Sequence, residues 1–293
     1  MSLNGHTPAQ LPPPTRVRYA VLGLLCVLAM ITYMDRAANG SARGAIIADL
    51  NQSGLYETKL TDADYFLVLM AFQLAYALFE VPSGWLGDTA GPRSTLLRVV
   101  LWWSVFVFLT GFTGMSVAGV FIGFTGLIVI QGLFGVGEAG AFPNIAKALY
   151  NWFPAGDRGF AKSVIWMSAR FMGGLTPLLW VLLTSPKLGG LGWREAMWLF
   201  AGSAVLWCVV FALWFRNKPA EHPAVNAAEL AAIDAGRKAT VGPVVVPWGK
   251  LVRSRNLWAV CLMYVVTNFC WYFLMYNLPG ALKVEFADWN KTV

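Results

Sequence analysis

Long apolar runs alternate with short polar intervals along most of the chain. Seven runs stand out, approximately Arg18 to Ala38, Asp64 to Trp85, Ser94 to Gly114, Ala118 to Tyr150, Phe160 to Thr184, Trp193 to Phe215 and Asn256 to Leu278. Most hold roughly 20 residues, which as a helix reaches about 30 Å, the hydrocarbon thickness of a bilayer. The fourth is longer than it needs to be and is expected to tilt or to run on past the membrane. The pattern predicts an all-α integral membrane protein. A polar stretch, 217–255, separates the sixth run from the seventh. Its Asn226 to Lys238 part sets Ala, Leu and Ile among Glu229, Asp234, Arg237 and Lys238, as an amphipathic helix on a membrane surface does. The expected organisation is a polar tail (1–17), a six-helix domain (18–216), a linker with an amphipathic helix (217–255), and a seventh helix opening an incomplete further domain (256–293).

Composition agrees with the membrane reading. The 293 residues are 57% hydrophobic and 13% charged, against about 25% charged in soluble domains, and the mean hydropathy is +0.58. The net charge of +7 does not mark a nucleic-acid partner, because the basic residues gather in a few intervals between apolar runs. Arg16 and Arg18, Arg93 and Arg98, Lys147, Arg158 and Lys162, and the group from Arg216 to Arg255 all fall on one side if the helices alternate. Asp49, Glu57, Asp62 and Asp64 fall on the other. That bias places the N-terminus in the cytoplasm of a multi-pass membrane protein; the membrane expected is a plasma membrane, a bacterial inner membrane. The proline-rich start fits no signal peptide, so the first helix is expected to remain as an anchor. The four cysteines follow no metal or disulfide spacing, and His6 and His222 lie in polar segments and suggest no site. No metal or cofactor is expected. There is no Gly-x-x-x-x-Gly-Lys loop and no soluble domain, which argues against an enzyme and against ATP-driven transport.

A few charges interrupt the apolar runs. Asp35 and Arg36 stand at the far end of the first, and a charge within the bilayer costs roughly 2.5 to 3.5 kcal/mol on insertion scales. Either Arg36 snorkels to the headgroups with Asp35 as its neutralising neighbour, or the pair works inside a cavity. Two further charges in apolar runs, Glu138 and an Arg170 expected to be buried, favour the second reading. Around Glu138, Gly135, Gly137 and Gly140 remove bulk and Pro143 frees a carbonyl, so the helix can bend and neighbours can approach. A carboxyl group in such a place suits loading and releasing a proton; the plain alternative is an acid permanently paired with a buried Arg. Tyr76 and Glu80 share one face of the second helix, Gln73 is a weaker cavity candidate, and Asn268, Trp271, Tyr272 and Asn277 in the seventh offer polar groups.

The interval Gly84-Trp85-Leu86-Gly87-Asp88-Thr89-Ala90-Gly91-Pro92-Arg93 resembles the cytoplasmic signature of the major facilitator superfamily. Gly84, Asp88, Gly91 and Arg93 match; Thr89 and Ser94 stand where that pattern has basic residues. Gly84 is expected to let helices approach closely, and Asp88 to cap the following turn or pair with Arg93. Tyr33-Met34-Asp35-Arg36, the Gly135 to Pro143 run, Trp152-Phe153-Pro154 and Glu221 to Asn226 narrow the resemblance to the anion:cation symporter family. That family includes carriers for galactonate, glucarate, hexuronates, phthalate and, in animals, sialic acid. The resemblance implies a major facilitator fold, here its N-terminal six-helix bundle plus one helix of the second half, short of twelve helices. It also implies a proton-coupled symporter of small organic anions that works by alternating access. Asp35 and Glu138 would couple protons, and Arg36 would meet the substrate carboxylate. Tyr33, Tyr76, Gln131, Arg170 and Asn268 are carried as substrate-site candidates, and Gly84, Asp88, Gly91 and Arg93 as the cytoplasmic gate.

Gln131 is a departure, since the galactonate carriers have Arg at that place, seven positions before the acid. Arg170 is expected to make up the loss, either as a second carboxylate clamp or as the ion-pair partner of Glu138. Glu80 is expected in the gate rather than the pocket. Length supports a second reading, a non-transporting remnant or partner subunit that lacks or borrows a C-terminal half; a channel is a weaker third.

Overall fold

A computed structural model of the chain describes residues 12–235 and 247–285, without the side chains at 271, 272 and 274–285. Trp271, Tyr272 and Asn277 belong to the side chains outside that description, as does His6. The chain divides into two compact units, Met1–Arg237 and Lys238–Val293.

The first unit is a helical bundle. Its elements are α1 (Val17–Gln52), α2 (Asp62–Ala90), α3 (Pro92–Thr110), a two-stranded hairpin of β1 (Ser116–Val117) and β2 (Val120–Phe121), α4 (Phe124–Glu138), α5 (Ala141–Trp152), α6 (Arg158–Thr184), α7 (Trp193–Trp214) and α8 (Ala227–Asp234). Six stretches among the described residues are long and apolar enough to cross a membrane, α4 and α5 counting together as one. Helix α1 packs along α6 and α7, α2 along α4, and α3 against both α4 and α7. The bundle closes on large fully buried side chains, among them Tyr65, Trp103, Phe134, Trp152 and Phe211.

Two elements differ from the sequence reading. Helix α1 does not stop near Ala38 but runs 36 residues to Gln52. The polar run from Asp35 to Arg43 hid the continuation, yet Ala38, Ala42, Ile46 and Leu50 recur every four residues and are all fully buried. The polar side chains bond back to the helix: Asn39 Nδ2 donates to the Asp35 carbonyl at 3.0 Å and Ser41 Oγ to that of Ala37 at 3.0 Å. Asp35 and Arg36 therefore lie near the middle of α1, not at its far end. The fourth run is not one helix either. Ala118 and Gly119, with φ of 50° and 81°, make the tight hairpin turn between β1 and β2. The helix that follows breaks after Glu138 and resumes at Ala141, because Pro143 has no N–H to offer the carbonyl of Ala139.

Local sequence explains the ends. Thr61 and Asp64 form a reciprocal capping box at the start of α2. At the end of the bundle away from the start of α1, Asp49 accepts from Trp193 Nε1 at 2.8 Å and pairs with Arg194, and Arg43 pairs with Asp62 at 3.1 Å. Helix α8, capped by Asn226, lies within the first unit although the sequence places it in a linker. The second unit holds α9 (Trp248–Val252) and α10 (Arg255–Glu285), which covers the seventh apolar run.

Candidate functional site

The bend between α4 and α5 faces the middle of α1. Glu138, the last residue of α4, is fully buried, and its Oε2 accepts from Arg36 Nε at 2.9 Å. The ion pair thus forms with Arg36. This corrects the expectation that Arg170 would partner Glu138. Three rings surround the guanidinium: Tyr76 at 4.6 Å, Phe72 at 5.4 Å and Tyr33 at 5.5 Å from its carbon. Such contacts are worth about 0.5–1 kcal/mol each where exposed and about 2 where desolvated. They arise from spacing, since Tyr33 and Arg36 are three apart on α1, and Phe72 and Tyr76 four apart on α2. Helix α4 reaches α2 closely because Gly135 has no side chain; a Cβ there would strike the Phe72 carbonyl oxygen.

Asp35, next to Arg36, turns into the bundle and is 0% exposed. Neither of its oxygens has a hydrogen-bond partner. It feels the Glu138 carboxylate, and the Trp103 indole N–H interacts with it outside ordinary hydrogen-bond geometry. A buried carboxyl group left so is costly, and native proteins keep such groups where function needs them.

The other candidates fall in different places. Gln131 is 2% exposed, and its Nε2 donates both hydrogens, to Asn39 Oδ1 at 2.7 Å and Thr110 Oγ1 at 3.1 Å. It ties α1, α3 and α4 together and does not face an open pocket. Arg170 is exposed, not buried, and with Lys162, Ser163, Trp166 and Met167 lines an open hollow of about 520 Å³ on α6. Trp166 stacks on Phe142 at 4.6 Å and meets Tyr33 edge-on, and Gly173 also abuts the Tyr33 ring. Arg170 lies between those two positions at helical spacing, so it borders the Tyr33 side of the Arg36 cluster. Glu80 belongs with the cluster more than with the gate, since it interacts electrostatically with Arg36 and Tyr76. Gln73 is half-buried on α2. Asn268 lies partly exposed on α10, in the second unit.

At the α2–α3 turn, Gly91 takes φ +82°, which L side chains rarely adopt. Gly84 lies in ordinary contact with Pro143, while at Gly87 a Cβ would strike the Asn144 side chain. Asp88 does not cap the turn or pair with Arg93. It pairs with Lys147 of α5 at 2.8 Å, while Arg93 Nη2 donates to the Ala212 carbonyl of α7 at 2.5 Å. The cause is reach: α5 packs against α2 and brings Lys147 to the acid. Sequence reasoning used Lys147 only for orientation and passed over Phe72 and Trp103. Phe72 carried a usable signal, its place one turn before Tyr76.

Comparison with known proteins agrees with this architecture. The chain is 32% identical over 275 residues to a probable sulfoacetate transporter of Cupriavidus necator, covering 92% of this chain and 58% of that one. It is 29% identical over 279 residues to a probable galactarate/D-glucarate transporter of Escherichia coli, covering 88% and 57%. A D-galactonate transporter of Escherichia coli is 29% identical over 294 residues, covering 95% and 62%. The chain thus spans about three-fifths of the length of these curated relatives. In fold it is similar to a bacterial homologue of the human lysosomal transporter Spinster, inward-facing and unoccupied, with a TM-score of 0.63 and 20% identity over 91% of this chain and 55% of that one. Residues 25–291 match the sequence pattern of the Major Facilitator Superfamily, and the chain belongs to that superfamily.

Proposed function

We propose that this chain forms the N-terminal six-helix half, and the start of the second half, of a proton-coupled symporter of small organic anions. The observation that carries the proposal is the buried Arg36–Glu138 pair inside a ring of Tyr33, Phe72 and Tyr76, with the unpartnered Asp35 beside it. A guanidinium is suited to a carboxylate or sulfonate, and relatives at about 30% identity are named for sulfoacetate, galactarate, glucarate and galactonate. Arg36 holds Glu138 while the site is empty. When Glu138 takes up a proton, the guanidinium is released to an incoming acid group; Asp35 takes up the second proton. Arg170, across Tyr33, meets the far end of a longer or dianionic acid, and Tyr76 and Tyr33 offer hydroxyls. Helices α2 and α6 leave much apolar surface uncovered, with 17% and 22% of their most apolar stretches buried. Asp88–Lys147, Arg93 and Gly91 hold the gate on the side where the basic intervals collect, which is the cytoplasmic side and carries the N-terminus. The host bilayer is a bacterial inner membrane.

The test is uptake into proteoliposomes driven by an imposed pH gradient, with galactonate, galactarate, glucarate and sulfoacetate offered in turn. Uptake of at least one is expected, abolished by Arg36→Gln and uncoupled from the gradient by Asp35→Asn or Glu138→Gln. Uptake indifferent to the gradient and to both acid substitutions removes the symport mechanism. Full uptake by Arg170→Gln removes the second clamp.

A further inference from the structure

The stretch after α7 behaves as part of the bundle. Trp152 Nε1 donates to the Arg216 carbonyl at 3.0 Å, Asn151 Nδ2 to the Asn217 carbonyl at 3.1 Å, and the Arg93 amide to Asn217 Oδ1 at 2.9 Å. His222 lies against Trp214 at 4.7 Å and Trp152 at 5.8 Å. Asn226 Oδ1 caps α8 by accepting from the Glu229 amide at 2.9 Å, and Asn226 Nδ2 donates to the Pro13 carbonyl at 2.8 Å.

The strongest contact is at Glu229. Arg16, the residue before α1, gives that helix no side-chain cap. Glu229 supplies one from the other end of the unit: Oε2 accepts from Thr15 Oγ1 at 2.5 Å and the Val17 amide at 3.2 Å, and Oε1 from the Arg18 amide at 3.1 Å. Its side chain is fully buried in doing so. The first amides of a helix have no partner within it, and they carry the positive end of its dipole. A carboxylate closed over them satisfies donors and charge together.

We propose that Glu229 is a clasp that caps α1 and fastens the stretch 217–234 to it, so that this stretch is a collar of the first unit and not a tether. Displacement of α8 is then felt at the first turn of α1, the helix that carries Asp35 and Arg36. The inference stands apart from any transported substrate.

Hydrogen–deuterium exchange on the whole chain in detergent tests it. Glu229→Ala is expected to speed exchange in the first turn of α1 and in α8 together, at least tenfold, while α3 and α7 keep their rates. Thr15→Val, which removes one donor and leaves both amide bonds, is expected to give a smaller rise in the same two places. Unchanged exchange at the start of α1 in Glu229→Ala overturns the clasp, as does an α8 that opens while α1 stays protected. If Glu229→Ala does not fold, the isosteric Glu229→Gln is decisive. Its single acceptor oxygen faces three donors and its NH2 group opposes the oxygen site it replaces, so faster exchange at the start of α1 is expected, and wild-type exchange in that variant also overturns the proposal.

Discussion

Arg36→Met removes the guanidinium that Glu138 Oε2 accepts from at 2.9 Å and leaves a carboxylate with 0% exposure. Breaking one side of a buried pair costs about 3–5 kcal/mol, because the remaining group is left as an uncompensated charge or must be neutralised by a proton. The three ring contacts go as well, adding roughly 1.5–3 kcal/mol at about 0.5–1 each. The single variant should therefore lose about 4.5–8 kcal/mol. Glu138→Leu should lose about 3–5 kcal/mol by stranding Arg36, which keeps its rings. The double variant Arg36→Met with Glu138→Leu replaces the pair with apolar side chains, a change often neutral or stabilising apart from the lost ring contacts. It should be more stable than Arg36→Met by about 3–5 kcal/mol and than Glu138→Leu by about 1–2 kcal/mol. Reversible SDS unfolding in mixed micelles at neutral pH, run on all four proteins, gives the coupling energy directly. Additive losses, with coupling below about 0.5 kcal/mol, would refute the pairing on which the site is built.

Gly135→Ala sets a Cβ against the Phe72 carbonyl oxygen and forces α2 from α4; a loss of about 1–3 kcal/mol is expected. Gly132→Ala, with open space on its side, is the control and should show no loss in the same unfolding assay. Asp88→Asn breaks a pair whose side chains are 64% and 35% exposed, so stability should fall by no more than about 1 kcal/mol. Uptake should nevertheless change in the vesicle assay if the pair gates; unchanged uptake would remove Asp88 from that role. Burial and the nearby Arg216 charge hold His222 below its ordinary value of 6.5. A group depressed on folding stabilises fully above its unfolded value and loses that contribution as pH falls through the folded one. The collar should therefore loosen in exchange measurements between pH 7 and pH 5, and His222→Gln should abolish the pH-dependent part.

Much of the bundle was readable because membrane spans announce themselves by length and hydropathy, and the six spans of the first unit each overlap an expected run. The ends were less readable. Beyond Arg36 the apolar face of α1 narrows to Ala38, Ala42, Ile46 and Leu50, a stripe one residue wide that an average over all residues does not register. The α4–α5 break was legible as a place to bend, through Gly140 and Pro143, but not as two helices. In the site, the meeting of the first and fourth spans was readable from charges that need a reason to be in lipid. Which Arg pairs with Glu138 was not, because Arg36 and Arg170 are equally basic on paper and only packing puts the first at the α4 bend and leaves the second on an open face. The collar was hidden for the opposite reason. Glu229 is an ordinary acid in an ordinary polar stretch, and its partner at Thr15 is 214 positions away.

The length of α1 carries a further consequence. Asp35 is the nineteenth of its 36 residues, since the helix begins at Val17, and at 1.5 Å per residue it lies about 27 Å from either end. The whole helix is thus about 54 Å long, against roughly 30 Å for the hydrocarbon of a bilayer. About four turns of α1 therefore stand outside the lipid core, which leaves Asp49 and its Trp193 and Arg194 partners, or the Glu229 cap, within reach of water.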